Sequence, residues 1–163
     1  KDVILFVYDL YLLNRSQDYE YDVDTFTPIY SQDKSVENIQ RQAEIFRQML
    51  LIYKGHYLMD ADGSWAISER ERLWQICADA YLNLAEHHLN LKEYQAALDY
   101  CRRALEKEPL LEAAHRLAMR AHIAMGDRAG AARQYQLCHH SVVERLGVKP
   151  SKETETLYRT LMR

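Results

Sequence analysis

A period of 34 residues in the second half of the sequence constrains the fold more than any other feature. A shift of 34 positions carries Glu93 onto Asp127 and Ala97 onto Ala131. The further matched pairs are Tyr81 with His115, His88 with His122, Cys101 with Tyr135, and Ala104 with Cys138. Fixed periods of about 20 to 50 residues mark structural repeats that stack on one another. The sequence therefore predicts repeated units that bury their apolar faces against their neighbours.

Proline and glycine residues divide this region into helices. The predicted helices are Glu93 to Glu108 before Pro109, Leu111 to Met125 before Gly126, Asp127 to Leu146 before Gly147, and Ser151 to the C-terminus. A long helix from Trp65 to Asn90 and two shorter helices, from Asp24 and from Ser35, are predicted before them. Only 5 glycines and 3 prolines occur in 163 residues, so long regular elements must fill the chain. The predicted fold class is all-α.

The first residues of the sequence predict β structure, whereas the rest predict helices. From Val3 to Leu13 the chain is rich in β-branched and aromatic residues, which predicts a short β strand or a hairpin. Because an isolated hairpin is marginally stable in water, we expect it to pack on the helices, on another chain, or on a domain upstream of Lys1. Packing on an upstream domain is the most natural of these interpretations.

The segment from Glu93 to Pro109, EYQAALDYCRRALEKEP, resembles the second helix of a tetratricopeptide repeat. The resemblance implies a right-handed stack of antiparallel helix pairs, with repeats at about 78–111 and 112–145. Met119 departs from the pattern, because a small residue is expected where two helices cross. The expected packing residues are Tyr81, Ala97, Ala104, His115, His122, Ala131 and Tyr135.

Five segments in order resemble a bacterial transcriptional activator domain, the helical domain of antibiotic-regulatory-type and related regulators. They are YDVDTF at 21–26, YKGHYL at 53–58, SERERLW at 68–74, AHRLAMRAHIAMGDRAGAARQY at 114–135, and LGVKPSKETETLY at 146–158. The resemblance implies a domain that follows a winged-helix DNA-binding domain and helps to recruit or regulate RNA polymerase. Residues 1–20 would then be a linker and a remnant of the wing hairpin, and 21–163 the activator domain.

A groove along the first helix of each repeat is the candidate binding surface. Its inner positions are Asn83, Glu86 and Asn90 in one repeat, and Arg116 and Arg120 in the next. Two guanidinium groups at positions i and i+4 point the same way and can bind a carboxylate-bearing partner. The alternative is that Glu112, one turn before Arg116, forms an exposed ion pair with it and contributes little.

Other functions are disfavoured by composition and spacing. The net charge of −3 offers little affinity for DNA, so DNA contact is expected only through a missing upstream domain. A zinc site needs three or four converging ligands, so His115 and His122 are interpreted as packing residues, with no metal or cofactor. No catalytic residues, and hence no enzyme, are expected. The three cysteines suit no disulfide framework, and no apolar run could span a membrane, so a cytoplasmic location is expected.

Two functional hypotheses remain. In the first, the chain is a regulatory protein-interaction domain whose partner is a second copy in a homodimer, the winged-helix domain or RNA polymerase. In the second, a pocket between the long helix and the repeats binds a small-molecule effector and shifts the helix packing.

Overall fold

The computed structural model describes residues 4–13, 22–33 and 39–163. The elements, in chain order, are β1 Ile4–Val7, β2 Leu10–Leu13, α1 Asp22–Asp33, α2 Ile39–Ile52, α3 Ser64–Asn90, α4 Tyr94–Lys107, α5 Glu112–Ala124, α6 Arg128–Leu146 and α7 Lys152–Leu161. Apart from the N-terminal hairpin, every regular element in these ranges is a helix, so the predicted all-α class is confirmed.

The N-terminal prediction of a strand or hairpin resolves as a hairpin. Strands β1 and β2 pair antiparallel, with Ile4 opposite Leu13 and Val7 opposite Leu10. The two turn residues, Tyr8 and Asp9, both have positive φ angles, of 52° and 60°. Two consecutive positive φ angles suit the turn that matches the twist of a two-stranded ribbon.

Consecutive helices pack against one another along the whole chain from α1 to α7. In addition, α5 contacts α3 and α7, so it adjoins four other helices. The main core lies where α1 and α2 meet α3, and it contains Phe26, Phe46, Met49, Trp74 and Leu84. A smaller cluster joins α3 to α4 and α5.

Small residues allow the repeat helices to approach closely. Ala97 and Ala104 on α4, and Ala131 on α6, are all buried. Asp127 caps α6 by accepting a hydrogen bond from the backbone N–H of Gly130 at 2.7 Å. Gly147 ends α6 with a φ of 67°, a left-handed conformation that favours glycine. Asp127 and Gly147 thus set the two ends of α6.

Candidate functional site

A groove between α3, α5 and α7 contains three of the five predicted residues, and its volume is about 340 Å³. It is lined by Leu82 and Glu86 from α3, Ala113, Arg116, Leu117 and Arg120 from α5, and Leu157 from α7. Three leucines give it an apolar floor, and charged side chains stand around them. An apolar centre with a polar rim is the usual anatomy of a protein-binding surface.

Both arginines of the groove contact side chains of neighbouring helices. Arg120 Nη1 lies 3.2 Å from Glu86 Oε1, a pair that joins equivalent positions of two repeats. Arg116 Nη1 donates to Thr154 Oγ1 at 3.0 Å, and its Nη2 lies 3.4 Å from Glu153 Oε2. Arg116 therefore holds α7, whereas Arg120 forms one exposed ion pair.

Glu112 binds the start of α7 instead of forming the expected ion pair with Arg116. Its Oε2 accepts hydrogen bonds from Ser151 N at 3.0 Å, Ser151 Oγ at 2.7 Å and Thr154 Oγ1 at 2.6 Å. Burial by itself would raise the pKa of Glu112. The hydrogen bonds from Thr154 and Ser151, with Arg116 nearby, outweigh burial and hold the pKa below its usual value. The alternative of a solvated pair with Arg116 is thus replaced by a polar cluster that docks α7.

The other predicted residues are distributed more widely. Asn83 and Asn90 are exposed on α3 and do not line the groove, and Asn83 donates to the backbone carbonyl of Asp79 at 2.8 Å. Of the expected packing residues, Tyr81, Ala97, Ala104, His115 and Ala131 are buried, whereas His122 and Tyr135 are half-buried. The Tyr135 ring stacks on Tyr158 of α7, with centroids 4.0 Å apart.

A second concave feature lies on the other side of α3, where α1 and the end of α2 meet it. This cavity has a volume of about 350 Å³. It is lined by Asp22, Val23 and Phe26 of α1, Ile52 of α2, the connection 53–58, and Leu73 of α3. Volumes of about 300 to 1,000 Å³, mostly apolar with a few polar groups, are typical of small-molecule sites.

Arg70 of α3 holds one wall of this cavity in place. Its guanidinium donates to the carbonyl oxygens of Tyr57 at 2.7 Å and Ala61 at 3.0 Å, and also to that of Leu58. A guanidinium has five donors in a rigid fork, so one side chain can satisfy several carbonyls of an irregular segment. The connection between α2 and α3 is therefore fixed to the long helix.

The sequence profile of one protein family, described as the bacterial transcriptional activator domain, matches residues 22–162. The chain belongs to this family. No match was found among curated proteins. As a bacterial transcriptional activator domain, the chain is a regulatory domain of a bacterial transcription factor. No helix within the described ranges is both long and apolar enough to cross a membrane.

Three of the five segments that resemble the activator domain meet at the cavity. The first supplies Asp22, Val23 and Phe26, and the second, YKGHYL, supplies all of the connection 53–58. The third supplies Leu73 in the cavity wall and Arg70, which holds the connection. Three of the family-like segments thus come together in the N-terminal part of the activator domain, whereas the other two lie in α5 to α7.

Aromatic side chains surround this cavity. Tyr53 lies 6.1 Å from Phe26 and 6.4 Å from Trp74 between ring centroids, and His56 meets Trp74 edge-on at 5.5 Å. Burial, with smaller effects of Cys77 and Tyr81, raises the pKa of Tyr53 well above its usual value. Its hydroxyl and His56 Nδ1 share a hydrogen bond of 3.1 Å. Burial also lowers the pKa of His56, which favours the neutral imidazole.

Sequence reasoning about the activator domain did not find this cavity. Its lining residues come from segments separated by up to about 50 positions, and none of them belongs to the 34-residue period. The signal that could have found them was the clustering of aromatic residues with Asp22 and Lys54 inside two of the five segments. A ligand interpretation of those segments required knowing that they are adjacent in space.

The cysteines and the possible metal ligands of the described residues were the other candidates for chemistry. Burial raises the pKa of the Cys101 thiol to about 12 and that of Cys138 to about 11, which makes both poor nucleophiles at neutral pH. Within the ranges that the structure describes, no three His, Cys, Asp or Glu side chains are placed to hold a metal ion. The groove and the cavity are the two concave features in which residues of the family-like segments or of the predicted binding surface come together.

Proposed function

We propose that this activator domain is a protein-interaction module, and that the groove between α3, α5 and α7 is its contact surface. The partners we propose are a second copy of the domain, the winged-helix domain of the same regulator, and RNA polymerase. On this proposal the N-terminal hairpin is the wing remnant of that upstream domain. DNA is contacted only through the upstream domain. The domain acts by recognition and carries out no reaction.

The observation that carries the proposal is the exposed Arg120–Glu86 pair above an apolar floor. Both side chains are about half exposed, 41% and 54%. Exposed ion pairs contribute only about 0–1 kcal/mol, so Arg120 can exchange Glu86 for a partner's carboxylate at little cost. The leucines beside it, Leu82, Leu117 and Leu157, offer apolar area that a partner can cover.

The test is the charge reversal Arg120→Glu. We choose Arg120 because Arg116 also holds α7, so a change at Arg116 would mix binding with stability. Binding of the full-length regulator to purified RNA polymerase is measured by fluorescence anisotropy, and self-association by sedimentation velocity. We expect Arg120→Glu to weaken one of these interactions at least about tenfold, since charge-assisted hydrogen bonds contribute about 1.5–3 kcal/mol.

The matched control is Arg128→Glu, which reverses an exposed charge outside the groove. It should leave both interactions unchanged, and both variants should keep the unfolding temperature within a few degrees of the parent. The proposal is wrong if the domain binds none of its three proposed partners. It is equally wrong if Arg120→Glu and Arg128→Glu behave alike.

A second candidate function, the sensing of a small-molecule effector, is favoured by the aromatic cavity between α1, α2 and α3. A ligand there would contact three helices at once and could shift their packing. Ligand at 100 times its dissociation constant stabilises the folded state by about 2.7 kcal/mol, which a thermal shift screen detects. If no compound in a chemically diverse set raises the unfolding temperature, this candidate is excluded.

A further inference from the structure

We propose that the cavity between α1, α2 and α3 binds a small zwitterion with an aromatic body, of which an aromatic α-amino acid is the simplest example. The inference rests on the effector-sensing candidate and specifies the chemical class of its ligand. It is carried by the charges at the rim, the rings of the interior, and the fixed shape of the wall.

Two opposite charges line the cavity and have no partner within the described part of the chain. Asp22 opens α1, and Lys54 follows α2; both are exposed, so their charged groups lie at the rim. Neither forms an ion pair or a hydrogen bond with another described side chain. A carboxylate and an ammonium on one rim match the ammonium and carboxylate of an α-amino acid, and hydrogen bonds between ionised groups are the strong ones.

The interior suits an uncharged aromatic body. Phe26 and Leu73 are each only 3% exposed, and Tyr53 and Tyr57 complete the wall. The hydroxyl of Tyr53 is occupied by His56, and the lowered pKa of His56 keeps that imidazole neutral. A charge placed among these apolar side chains would be desolvated, so the ligand's charges belong at the rim. Ring–ring contacts add about 0.5–1.5 kcal/mol beyond the area that is buried.

The wall that carries Lys54 is fixed before any ligand arrives. Arg70 donates to the carbonyls of Tyr57, Leu58 and Ala61, which follow Lys54 closely in the connection between α2 and α3. A preformed site avoids the entropic cost of ordering a loop on binding. The volume of about 350 Å³ lies near the lower end for ligand sites, which indicates a single-ring compound.

Isothermal titration calorimetry with three probes tests the class of ligand. The probes are L-phenylalanine, 3-phenylpropionate, which lacks the ammonium, and 2-phenylethylamine, which lacks the carboxylate. The protein is the 163-residue chain, residues 1–163. We expect L-phenylalanine to bind, and each analogue to bind at least about tenfold more weakly because one charged hydrogen bond is lost.

Variants assign each charge to its partner. Asp22→Asn should weaken L-phenylalanine at least about tenfold yet leave 3-phenylpropionate unchanged, because that probe has no ammonium to lose. Lys54→Gln should weaken L-phenylalanine similarly and leave 2-phenylethylamine unchanged. The controls Asp24→Asn and Lys149→Gln remove exposed charges that do not line the cavity, and should have no effect. All four sites are exposed, so folding is expected to be retained.

The outcomes separate this inference from the sensing function itself. Suppose that one analogue binds as tightly as L-phenylalanine and that neither variant loses binding. The proposal of a zwitterionic ligand is then wrong, and the cavity would bind an effector of another chemical class. If none of the three probes binds, the inference is also wrong. A negative thermal shift screen would then also remove the sensing function.

Discussion

Glu112 shows how much one side chain can determine in this domain. It stands at the start of α5 and accepts three hydrogen bonds from Ser151 and Thr154, which lie 39 and 42 positions further on. Thr154 is fully buried, so the cluster is sheltered from water on at least one side. A carboxylate held in this way stabilises the folded state only while it is ionised.

The substitution Glu112→Gln should therefore lower the free energy of unfolding by about 1–3 kcal/mol at pH 7, because an amide nitrogen would face donors it cannot pair with. The folded pKa of Glu112 lies below its unfolded value near 4.5, so the contribution is complete above pH 4.5 and disappears as the pH falls further. The difference between parent and variant should shrink in acid accordingly. Urea unfolding between pH 7 and pH 3 measures it.

The control for this prediction is Glu144→Gln on α6, which removes an exposed carboxylate. It should change the free energy of unfolding by less than about 0.5 kcal/mol at either pH. If Glu112→Gln lost as much stability at pH 3 as at pH 7, the loss would come from packing alone. The account of an ionised cluster that docks α7 would then be wrong.

At the scale of elements, the helices of the repeats could be predicted closely and their long-range connections could not. Helix α4 was predicted from Glu93 to Glu108 and is observed at Tyr94–Lys107. Helix α6 was predicted from Asp127 to Leu146 and is observed at Arg128–Leu146. Local chemistry suffices there, because Pro109, Gly126 and Gly147 interrupt the helical pattern and Asp127 caps the next helix. The docking of α7 depends on a pair of side chains far apart in sequence.

The candidate sites show the same contrast between features set by local sequence and features set by long-range contacts. The two arginines of the groove could be predicted from spacing within α5, because i and i+4 share a helical face whatever the surroundings. Their partners could not, since Arg120 meets Glu86 only where two repeats stack. The aromatic cavity lay beyond sequence reasoning for the same reason. Its walls come from α1, α2 and α3, and no periodicity relates them.

At the scale of the whole molecule, α5 has a central position among the helices. It contacts α3, α4, α6 and α7, and its side of the groove carries both arginines. Met119 of α5 is fully buried, although the repeat pattern called for a small residue there. A larger side chain at this crossing ties α5 to its neighbours by packing rather than by close backbone approach.

Met119→Ala should accordingly lower the free energy of unfolding by about 2–5 kcal/mol, the usual cost of a cavity left by a buried methionine. Because α5 packs against four other helices, we expect the loss to be global: amide protons in α3 and α6 should lose protection by the same amount in native-state hydrogen exchange. Met125→Ala, at a site 48% exposed, is the control and should cost less than about 0.5 kcal/mol. Loss of protection confined to α5 and α6 would show instead that the N-terminal helices and the repeats unfold independently.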